Sequence, residues 1–525
     1  MRTVGERLVE GLEARGVRVV FGIPGVHTVE LYRGLSGSTI RHVTARHEQG
    51  CAFMADGYAR VSGQPGVAFV ITGPGLTNAL TAMAQSREDS IPVLIISGVN
   101  RRDSLGRGLG RLHELPDQAA MIATLCPTRQ ITSPAEVGPT LDWAFHLLTT
   151  GRPGPVHIEV PTDVLPLPCP ALPEPAPLAT KALSSPTALD QAATLLNAAK
   201  RPLILAGGGA RGQEAALKTL AERLDAPVVQ TANARGMLHG HDLCVPASPS
   251  LDPVRDLIRA SDRILAIGTE IGQTDYDMYA DDGIPDLSNM IRIDIDATQL
   301  ARHPATLTLR GDAGAAMAAL LPLLTQHNAQ GARRAADTRL EARAKLADLS
   351  ATMPAQLEMV EAIRAALPRA LIVGDSTQPV YAGNLYYDHD RPGGWFNAAT
   401  GFGALGFGPG AAVGAALASP GTKVVCLIGD GGLQFSPGEL RTAVDERLSI
   451  TYLVWNNAAF REIADAMRGA NTEIIGCHPS PLRLEPFAAA CNLPFTSIPQ
   501  DPEVLHWALS QPCDGPRMIE IRVVL

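Results

Sequence analysis

Short apolar runs that end in glycine-rich turns recur along the chain, and helix-like segments separate them. Strands buried on both faces have this near-continuous apolar character, whereas strands exposed on one face alternate. The pattern therefore predicts parallel sheets covered by helices on both faces, which is the doubly wound α/β fold. The clearest runs are VRVVFGIPG, GVAFVITGPG, PVLIISGV, RPLILAGGGA, RILAIGTEI and KVVCLIGDGG.

The length of 525 residues is too great for one ordinary domain. A proline-rich segment at 161–186 fits an extended surface linker. A second boundary is indicated by the stretch QHNAQGARRAADTRLEARAKLADLSA, which has the pattern of a polar helix and connector. We expect three doubly wound domains, at residues 1–165, 186–325 and 355–525.

Composition narrows the function classes. The net charge is −9 and no long basic run is present, so the electrostatic footprint of a nucleic-acid-binding protein is missing. The eight cysteines are scattered without a CxxC pair, which indicates neither a zinc site nor a disulfide framework. No apolar run approaches the length of a membrane helix. These features predict a cytoplasmic enzyme that binds neither nucleic acid nor membrane.

Polar side chains follow two predicted core strands. KVVCLI ends in GDGG at 429–432, and ITYLVW ends in NN at 456–457. At the carboxyl ends of parallel strands, glycine backbone N–H groups and helix N-termini can hold a phosphate. Asp430 would repel a phosphate unless a cation lay between them, and Mg²⁺ accepts carboxylate and amide oxygens together with phosphate. GDG alone is more typical of an ordinary turn.

The spacing favours a site over two unrelated turns. The 24 residues between Gly431 and Asn456 suffice for one βαβ crossover to an adjacent strand. GDG followed by NN at this distance resembles the thiamin-diphosphate and magnesium signature. The chain as a whole resembles the acetolactate synthase and 2-oxo-acid decarboxylase family, and further matches are GIPGVHTVELY at 22–32, RHEQGCAFMADGYAR at 46–60 and TGPGLTN at 72–78.

The resemblance implies a pyrimidine-binding first domain, a central domain and a diphosphate-binding third domain. It implies that Mg²⁺ is held by Asp430, Asn457 and the backbone carbonyl of Ala459. It also implies that the backbone N–H groups of Gly431 and Gly432 bind the diphosphate.

Further roles are carried over from the same family. Glu48 would hydrogen-bond the aminopyrimidine and promote activation of the cofactor, and Asn78 lies in the matching TGPGLTN stretch. In the segment GFGALGFGPG, Leu405 occupies the position of the side chain that bends the cofactor, and Gly403 belongs to the same turn. The family builds its active sites between subunits, so the resemblance implies a homodimer or homotetramer.

Several departures from the family bear on the substrate and on the second cofactor of some members. Thr269-Glu270 stands where acetolactate synthases carry an arginine that holds FAD, and a glutamate would repel a flavin diphosphate. The glycine motif at 207–212 lacks the acidic residue that would complete a dinucleotide fingerprint. We therefore expect no FAD. The Gly-Gln of acetolactate synthases and the paired histidines of pyruvate decarboxylases are also missing, which argues against pyruvate as the substrate.

A different substrate is indicated beyond the asparagine pair. Glu462 falls where the family faces the substrate side chain, and Asp465 follows near one helical turn later. Two carboxylates would favour a cationic tail such as a guanidinium, although pairing of Glu462 with a neighbouring arginine on a solvated helix face is the alternative. Three other residues are substrate-side candidates, with the histidines also considered for proton transfer: Val26, His27 and His113.

The expected reaction is a non-oxidative decarboxylation. The stretches GIPGVHTVELYRGL and GRLHELPDQ resemble the subgroup that decarboxylates 5-guanidino-2-oxopentanoate, or 2-ketoarginine, giving an aldehyde and CO₂. An FAD-independent acetolactate synthase-like carboligase acting on pyruvate is the alternative. A catalytically silent homologue is a third possibility, but the joint presence of Glu48, Asp430 and Asn457 argues against it.

Overall fold

The computed structural model describes residues 1–178 and 182–523. Of the predicted linker at 161–186, residues 179–181 lie outside this part of the chain. Three six-stranded sheets with flanking helices make up the fold, which confirms the predicted α/β class of three doubly wound parallel sheets. Chain contacts group into two compact units, described in turn below.

The first sheet has the strand order β2-β1-β3-β4-β6-β5, with every neighbouring pair parallel. Its strands are β1 Val19–Gly22, β2 Arg41–Thr44, β3 Gly66–Val70, β4 Val93–Val99, β5 Thr128–Gln130 and β6 Pro155–Pro161. Its helices are α1 Val4–Ala14, α2 Val29–Leu35, α3 Glu48–Ser62, α4 Pro74–Glu88, α5 Gln118–Ala123 and α6 Val137–Thr150.

The second sheet has the order β12-β11-β10-β7-β8-β9 and is also parallel throughout. Its strands are β7 Pro202–Ala206, β8 Val228–Gln230, β9 Cys244–Val245, β10 Arg263–Ile267, β11 Met290–Asp294 and β12 Leu307–Arg310. The helices of this region are α7 Pro186–Asn197, α8 Glu214–Leu224, α9 Asp252–Arg259, α10 Gln273–Tyr276, α11 Ala297–Ala301 and α12 Ala313–Leu320.

Two helices precede the third sheet, α13 Gly331–Leu349 and α14 Met353–Ala366, and the first confirms the predicted polar helix. The third sheet has the order β14-β13-β15-β16-β18-β17. Its strands are β13 Leu371–Gly374, β14 Trp395–Asn397, β15 Val424–Gly429, β16 Ile450–Asn456, β17 Phe495–Pro499 and β18 Arg517–Arg522. Its helices are α15 Gln378–Leu385, α16 Phe407–Ala418, α17 Asp430–Leu433, α18 Glu439–Asp445, α19 Arg461–Gly469, α20 Leu484–Ala490 and α21 Pro502–Ser510.

The first unit comprises residues 1–179, 401–497 and 512–520. Inside it, α3 and α16 cross so closely that glycines of one helix touch the backbone of the other. A Cβ added at Gly57 would meet the carbonyl oxygen of Ala411, and one added at Gly414 would meet that of Met54. Only glycine permits this approach, because backbone atoms on both sides leave no room for a methyl group.

Aromatic rings complete the α3–α16 contact. Phe53 and Phe407 meet edge to face with their centroids 5.3 Å apart. The Arg60 guanidinium lies 5.4 Å from the centroid of the Phe407 ring and donates to Asp56 at 2.6 Å, so a buried charge is paired where the helices meet. The crossing thus combines close backbone packing with a neutralised polar core.

The second unit comprises residues 180–400, 498–511 and 521–525. Arg235 is an almost fully enclosed cation of this unit, with 1% of the residue exposed. Its guanidinium donates to four backbone carbonyls at 2.6–3.1 Å, those of Gln230, Pro246, Asn384 and Tyr387. Burial lowers the pKa of Arg235 to about 10. The side chain therefore ties segments that are distant in sequence through main-chain acceptors.

A buried histidine connects three strands of the first sheet. His157 on β6 is fully buried, and its ring nitrogens contact the Ser97 hydroxyl of β4 at 2.8 Å and the Thr128 hydroxyl of β5 at 2.7 Å. Burial lowers the pKa of His157 to about 3. The imidazole therefore stays neutral in the folded protein across the physiological range.

Among residues 1–178 and 182–523, no helix combines the length and the apolar character needed to cross a membrane.

The α3–α16 crossing predicts the effect of adding a single methyl group. We expect Gly57→Ala and Gly414→Ala each to lower the free energy of unfolding by about 1–3 kcal/mol, because the new Cβ has backbone rather than flexible side chains as its neighbour. Gly469→Ala is the matched control, since this helical glycine has open space around it. Chemical denaturation would measure the three variants, and equal stability of all of them would contradict the packing account.

The buried His157 predicts an acid-sensitive contribution to stability. Below the ordinary pKa of 6.5 the unfolded chain binds a proton that the folded imidazole does not bind until about pH 3. The contribution is therefore fully present above pH 6.5 and falls as the pH falls toward 3, by up to about 1.4 kcal/mol per pH unit. Between pH 6 and 4, His157→Gln should flatten the pH dependence of the denaturation midpoint, whereas the exposed His146→Gln should not. Identical slopes in both variants would refute this assignment.

Candidate active site

The polar residues after β15 and β16 lie at adjacent strand ends. The two strands are parallel neighbours, with Gly429 opposite Trp455 in the register. Asp430 and Asn456 follow at the same edge, and the Asp430 carboxylate accepts the backbone N–H of Asn457 at 3.4 Å. The predicted βαβ crossover between GDGG and NN is therefore confirmed.

Asp430 is a carboxylate with little access to water. Only 7% of the residue is exposed, and burial raises its pKa, with the nearby Glu520 carboxylate adding to the effect. A cation beside it would favour its charged form. Gly431 lies against Phe460, where an added Cβ would be 2.6 Å from the ring. Because residues 431 and 432 are glycines, they have no side chains that could cover the backbone N–H groups of this turn.

The asparagine pair divides into a bracing residue and a buried one. Asn456 donates to the Glu520 carboxylate at 2.6 Å and accepts the N–H of Ala458, which has a positive φ of 53°. Asn457 is 8% exposed, and its amide oxygen accepts the N–H of Ala459 at 3.2 Å. Asn456 thus stabilises the turn that positions Asn457.

The donor set at this edge fits magnesium. It offers a carboxylate from Asp430, an amide from Asn457 and a backbone carbonyl from Ala459, all of them hard oxygen donors. In the described part of the chain, no group of three or more His, Cys, Asp or Glu side chains forms a metal site. A cation held here would therefore depend on amide, carbonyl and phosphate oxygens in addition to one carboxylate.

Glu48 begins α3, and its side chain points to α4. The carboxylate accepts from Asn78 Nδ2 at 3.0 Å, and an added Cβ at Gly75 would be 3.6 Å from it. The helix start is capped by His47, whose ring accepts the N–H of Gln49 at 3.1 Å. The structure therefore brings together two predicted site residues, Glu48 and Asn78.

Glu439 also fixes the start of α3 and was not identified from the sequence. It is 1% exposed, and its carboxylate accepts the backbone N–H groups of Arg46 and His47 at 3.0–3.3 Å. A Cβ at Gly50 would collide with it. Glu439 therefore holds the backbone next to Glu48. A sequence signal exists, since this acid occupies a core-facing position of α18, but its partners are distant in the chain.

The loop that carries Gly403 and Leu405 contacts two of the elements above. The N–H of Ala404 donates to Gln85 on α4 at 3.2 Å, and the Ser436 hydroxyl donates to the Gly406 carbonyl at 2.7 Å. Leu405 itself is half-buried, and Gly403 has a positive φ of 77°. Asn78 also lies on α4, and Ser436 follows α17, which begins in the GDGG turn. The loop therefore contacts both the helix of Asn78, the partner of Glu48, and the segment after the GDGG turn.

Two histidines that are far apart in sequence form a pair. The rings of His27 and His113 meet edge to face with centroids 5.3 Å apart, and His113 has a positive φ of 61°. Burial lowers the pKa of His27, and His113 adds to this effect. The adjacent Val26 is 71% exposed. No two histidines are adjacent in the sequence, but the fold brings His27 and His113 together. The pair lies beside the turn at Gly73, which contacts the His113 carbonyl.

The two acids predicted to face the substrate have different surroundings. Asp465 forms ion pairs with Arg461, at 3.2 Å, and with Arg468. Glu462 lies one residue after Arg461 on α19 and is exposed. The carboxylate of Asp465 is therefore already engaged by cations of its own helix, and the substrate role of Glu462 stays a prediction.

In the second unit, the residues on which the expected absence of FAD rests have partners within the protein. Glu270 pairs with Arg302, which offsets the negative charge on which the expected repulsion of a flavin diphosphate rests. Gly207 and Gly209 pack against the backbone of Gly268, which accounts for two glycines of the 207–212 motif. The expectation that FAD is absent stays a prediction.

Three family profiles match the chain in the order of the three sheets. The thiamine pyrophosphate enzyme N-terminal binding domain matches residues 2–121, and the central domain matches residues 189–320. The C-terminal thiamine pyrophosphate binding domain matches residues 375–521. The first and last profiles include Glu48, Asp430 and Asn457.

Curated relatives cover nearly the whole chain. A protein of Pseudomonas aeruginosa named "probable 2-ketoarginine decarboxylase" is 43% identical over 91% of this chain and 86% of its own length. The acetolactate synthase isozyme 1 large subunit of Escherichia coli is 30% identical over 99% and 94%. The acetolactate synthase of Mycobacterium bovis is 31% identical over 87% and 76%. The chain belongs to the thiamine pyrophosphate enzyme family.

Proposed function

We propose that this protein is a thiamin-diphosphate-dependent decarboxylase of a 2-oxo acid with a basic side chain, such as 5-guanidino-2-oxopentanoate. The products would be CO₂ and the corresponding aldehyde. The observation that carries the proposal is the 43% identity, over nearly the full chain, to a relative named as a 2-ketoarginine decarboxylase. The resemblance of GIPGVHTVELYRGL and GRLHELPDQ to the same subgroup supports it.

Within this proposal, the GDGG and NN segments hold the cofactor. Asp430, Asn457 and the Ala459 carbonyl bind Mg²⁺, and the N–H groups of Gly431 and Gly432 bind the diphosphate. Support comes from the buried carboxylate of Asp430, whose raised pKa a divalent cation would offset, and from the hard oxygen character of all three donors. We assign no metal role to Asn456, because its amide bridges Glu520 and Ala458.

The remaining residues orient and activate the cofactor. Thiamin diphosphate, when bound, supplies a nucleophilic carbon that adds to the oxo group and accepts the electron pair left when CO₂ departs. Glu48 holds a proton on the aminopyrimidine, and Asn78 orients the Glu48 carboxylate through the 3.0 Å hydrogen bond. Leu405, on the loop that Gly403 helps to turn, would be the side chain that supports the cofactor. His27 and His113 are the candidates for delivering the proton that completes the aldehyde.

We further propose that two chains assemble around the sites, as a homodimer or a homotetramer. Support comes from large apolar side chains that are half or more exposed next to candidate site residues in the first unit, namely Val26, Leu112, Phe402 and Phe435. A second chain covering them would remove this surface from water. Light scattering would measure the assembly, and a stable monomer with full activity would refute it.

Cytoplasmic location stays a prediction.

A second candidate is an FAD-independent carboligase that forms acetolactate from pyruvate. The identities of 30–31% to acetolactate synthases favour it. Product analysis separates the two functions, because a decarboxylase releases an aldehyde whereas a carboligase joins two 2-oxo acids. The absorbance spectrum of the purified protein would reveal a bound flavin, which neither candidate includes.

The decarboxylase proposal predicts the behaviour of one substitution. With Mg²⁺ and thiamin diphosphate, the protein should release CO₂ from 5-guanidino-2-oxopentanoate faster than from pyruvate, and Glu48→Gln should lower that rate by about 10²–10⁴-fold because the amide cannot exchange the proton. Glu10→Gln, which changes a partly exposed acid on α1, is the control and should retain the rate. A preference for pyruvate would contradict the substrate class, and unchanged turnover in Glu48→Gln would contradict the site.

The metal proposal predicts a binding defect that is independent of turnover. Asp430→Asn and Asn457→Ala should each weaken Mg²⁺-dependent thiamin diphosphate binding at least about tenfold, since each removes or weakens one of few protein donors. Calorimetric titration with the cofactor at several Mg²⁺ concentrations measures this. Asp514→Asn, an exposed acid of the same unit, is the matched control. Unchanged Mg²⁺ dependence in both site variants would refute the ligand assignment.

A further inference from the structure

A cavity of about 240 Å³ lies at the carboxyl end of the first sheet, inside the first unit. Strands β5 and β6 contribute Gln130 and Glu159 to its lining, and the segment that follows β4 contributes Asn100, Asp117 and Gln118. Ligands of parallel sheets bind at this edge. The polar lining consists of two carboxylates and three amides, in addition to a threonine considered below.

Glu159 is the more deeply placed of the two carboxylates, with 1% of the residue exposed. Its carboxylate accepts from Gln118 Nε2 at 2.9 Å and from Gln130 Nε2 at 2.7 Å, so its hydrogen bonds come from neutral amides. Burial raises its pKa, and the nearby Asp117 carboxylate raises it further. A cation placed in the cavity would relieve both effects.

Thr72 gives an independent sign that the cavity holds a ligand. The residue is 1% exposed and lines the cavity, and its hydroxyl has no hydrogen-bond partner. Buried hydroxyls almost always have a partner in native proteins. The unused hydrogen-bonding capacity of Thr72 therefore points to a polar molecule in this space.

The cavity adjoins the turn that leads to the Glu48 region. Thr72 lies three residues before Gly75, the residue that adjoins the Glu48 carboxylate. Three residues span at most roughly 10 Å. The same turn is held from the cavity side, because Gln118 accepts the N–H of Gly73 at 3.1 Å while donating to Glu159. One side of this turn faces the candidate site and the other faces the cavity.

We propose that this cavity binds the cationic tail of the 2-oxo acid, a guanidinium or an ammonium group, between Glu159 and Asp117. The inference rests on the proposed function and names the substrate-recognition site for it. A guanidinium presents five N–H donors in one plane, which suits two carboxylate acceptors and a threonine hydroxyl. On α19, by contrast, Asp465 is already held by two arginines.

The test compares a cationic substrate with a neutral one of the same shape. Holoenzyme carrying Glu159→Gln, and separately Asp117→Asn, would be assayed with 5-guanidino-2-oxopentanoate and with 5-ureido-2-oxopentanoate. We expect kcat/KM for the guanidino acid to fall at least about 30-fold in Glu159→Gln, with little change for the ureido acid. Asp117→Asn retains an N-cap for α5 and should show the same selective loss to a smaller extent.

The controls separate this cavity from other acids. Asp103→Asn neutralises an exposed carboxylate in the loop after β4 and should leave both substrates unchanged. Glu462→Gln tests α19 directly. Equal losses with both substrates in Glu159→Gln would assign the residue to stability alone, and selective loss in Glu462→Gln without loss in Glu159→Gln would place recognition on α19. Either result overturns the proposal.

A binding measurement keeps the cavity testable if the proposed function fails. Wild-type holoenzyme that releases CO₂ only from apolar 2-oxo acids would refute the function. Calorimetric titration of butylguanidinium into the holoenzyme would then decide on the cavity: binding that Glu159→Gln abolishes supports it. No binding to the wild type, or equal binding to both proteins, overturns it.

Discussion

The first unit depends on the crossing of α3 and α16, where glycines allow two helix backbones to touch. Elements that contain candidate site residues extend from this contact. Glu48 begins α3, and the loop with Leu405 leads directly into α16. Because the two backbones touch at Gly57 and Gly414, a shift of one helix must move the other. The backbone positions of two candidate site residues, Glu48 and Leu405, are therefore set by one close helix contact.

Buried polar side chains also fix the backbone near the candidate site residues. Glu439 accepts backbone N–H groups just before Glu48, and Gln118 joins the Gly73 turn to Glu159. Glu439 thereby joins α18 to the start of α3, and Gln118 joins the Gly73 turn to β6. Such groups cost free energy unless all their bonds are satisfied, so they specify a unique arrangement more than they add stability.

Sequence reasoning succeeded where chemistry follows local strand ends. The apolar runs predicted three parallel sheets, and the GDGG and NN segments lie at adjacent strand ends because parallel strands end at one edge. It could not identify Glu439, because its partners Arg46 and His47 are brought close only by tertiary structure. The His27–His113 pair escaped for the same reason. The charge of Glu270, from which we expected repulsion of a flavin diphosphate, is offset by Arg302, and this partner is brought close only by the fold.

Arg235 illustrates a different way to bury a cation. Four backbone carbonyls surround its guanidinium, and main-chain dipoles neither titrate nor exchange partners with dissolved ions. Because none of these four hydrogen bonds goes to an acidic side chain, salt screens them less than it screens a surface ion pair. Substitution of the side chains at positions 230, 246, 384 and 387 would leave the backbone carbonyls as acceptors. Exchange of Arg235 for lysine, by contrast, would remove part of its planar set of donors.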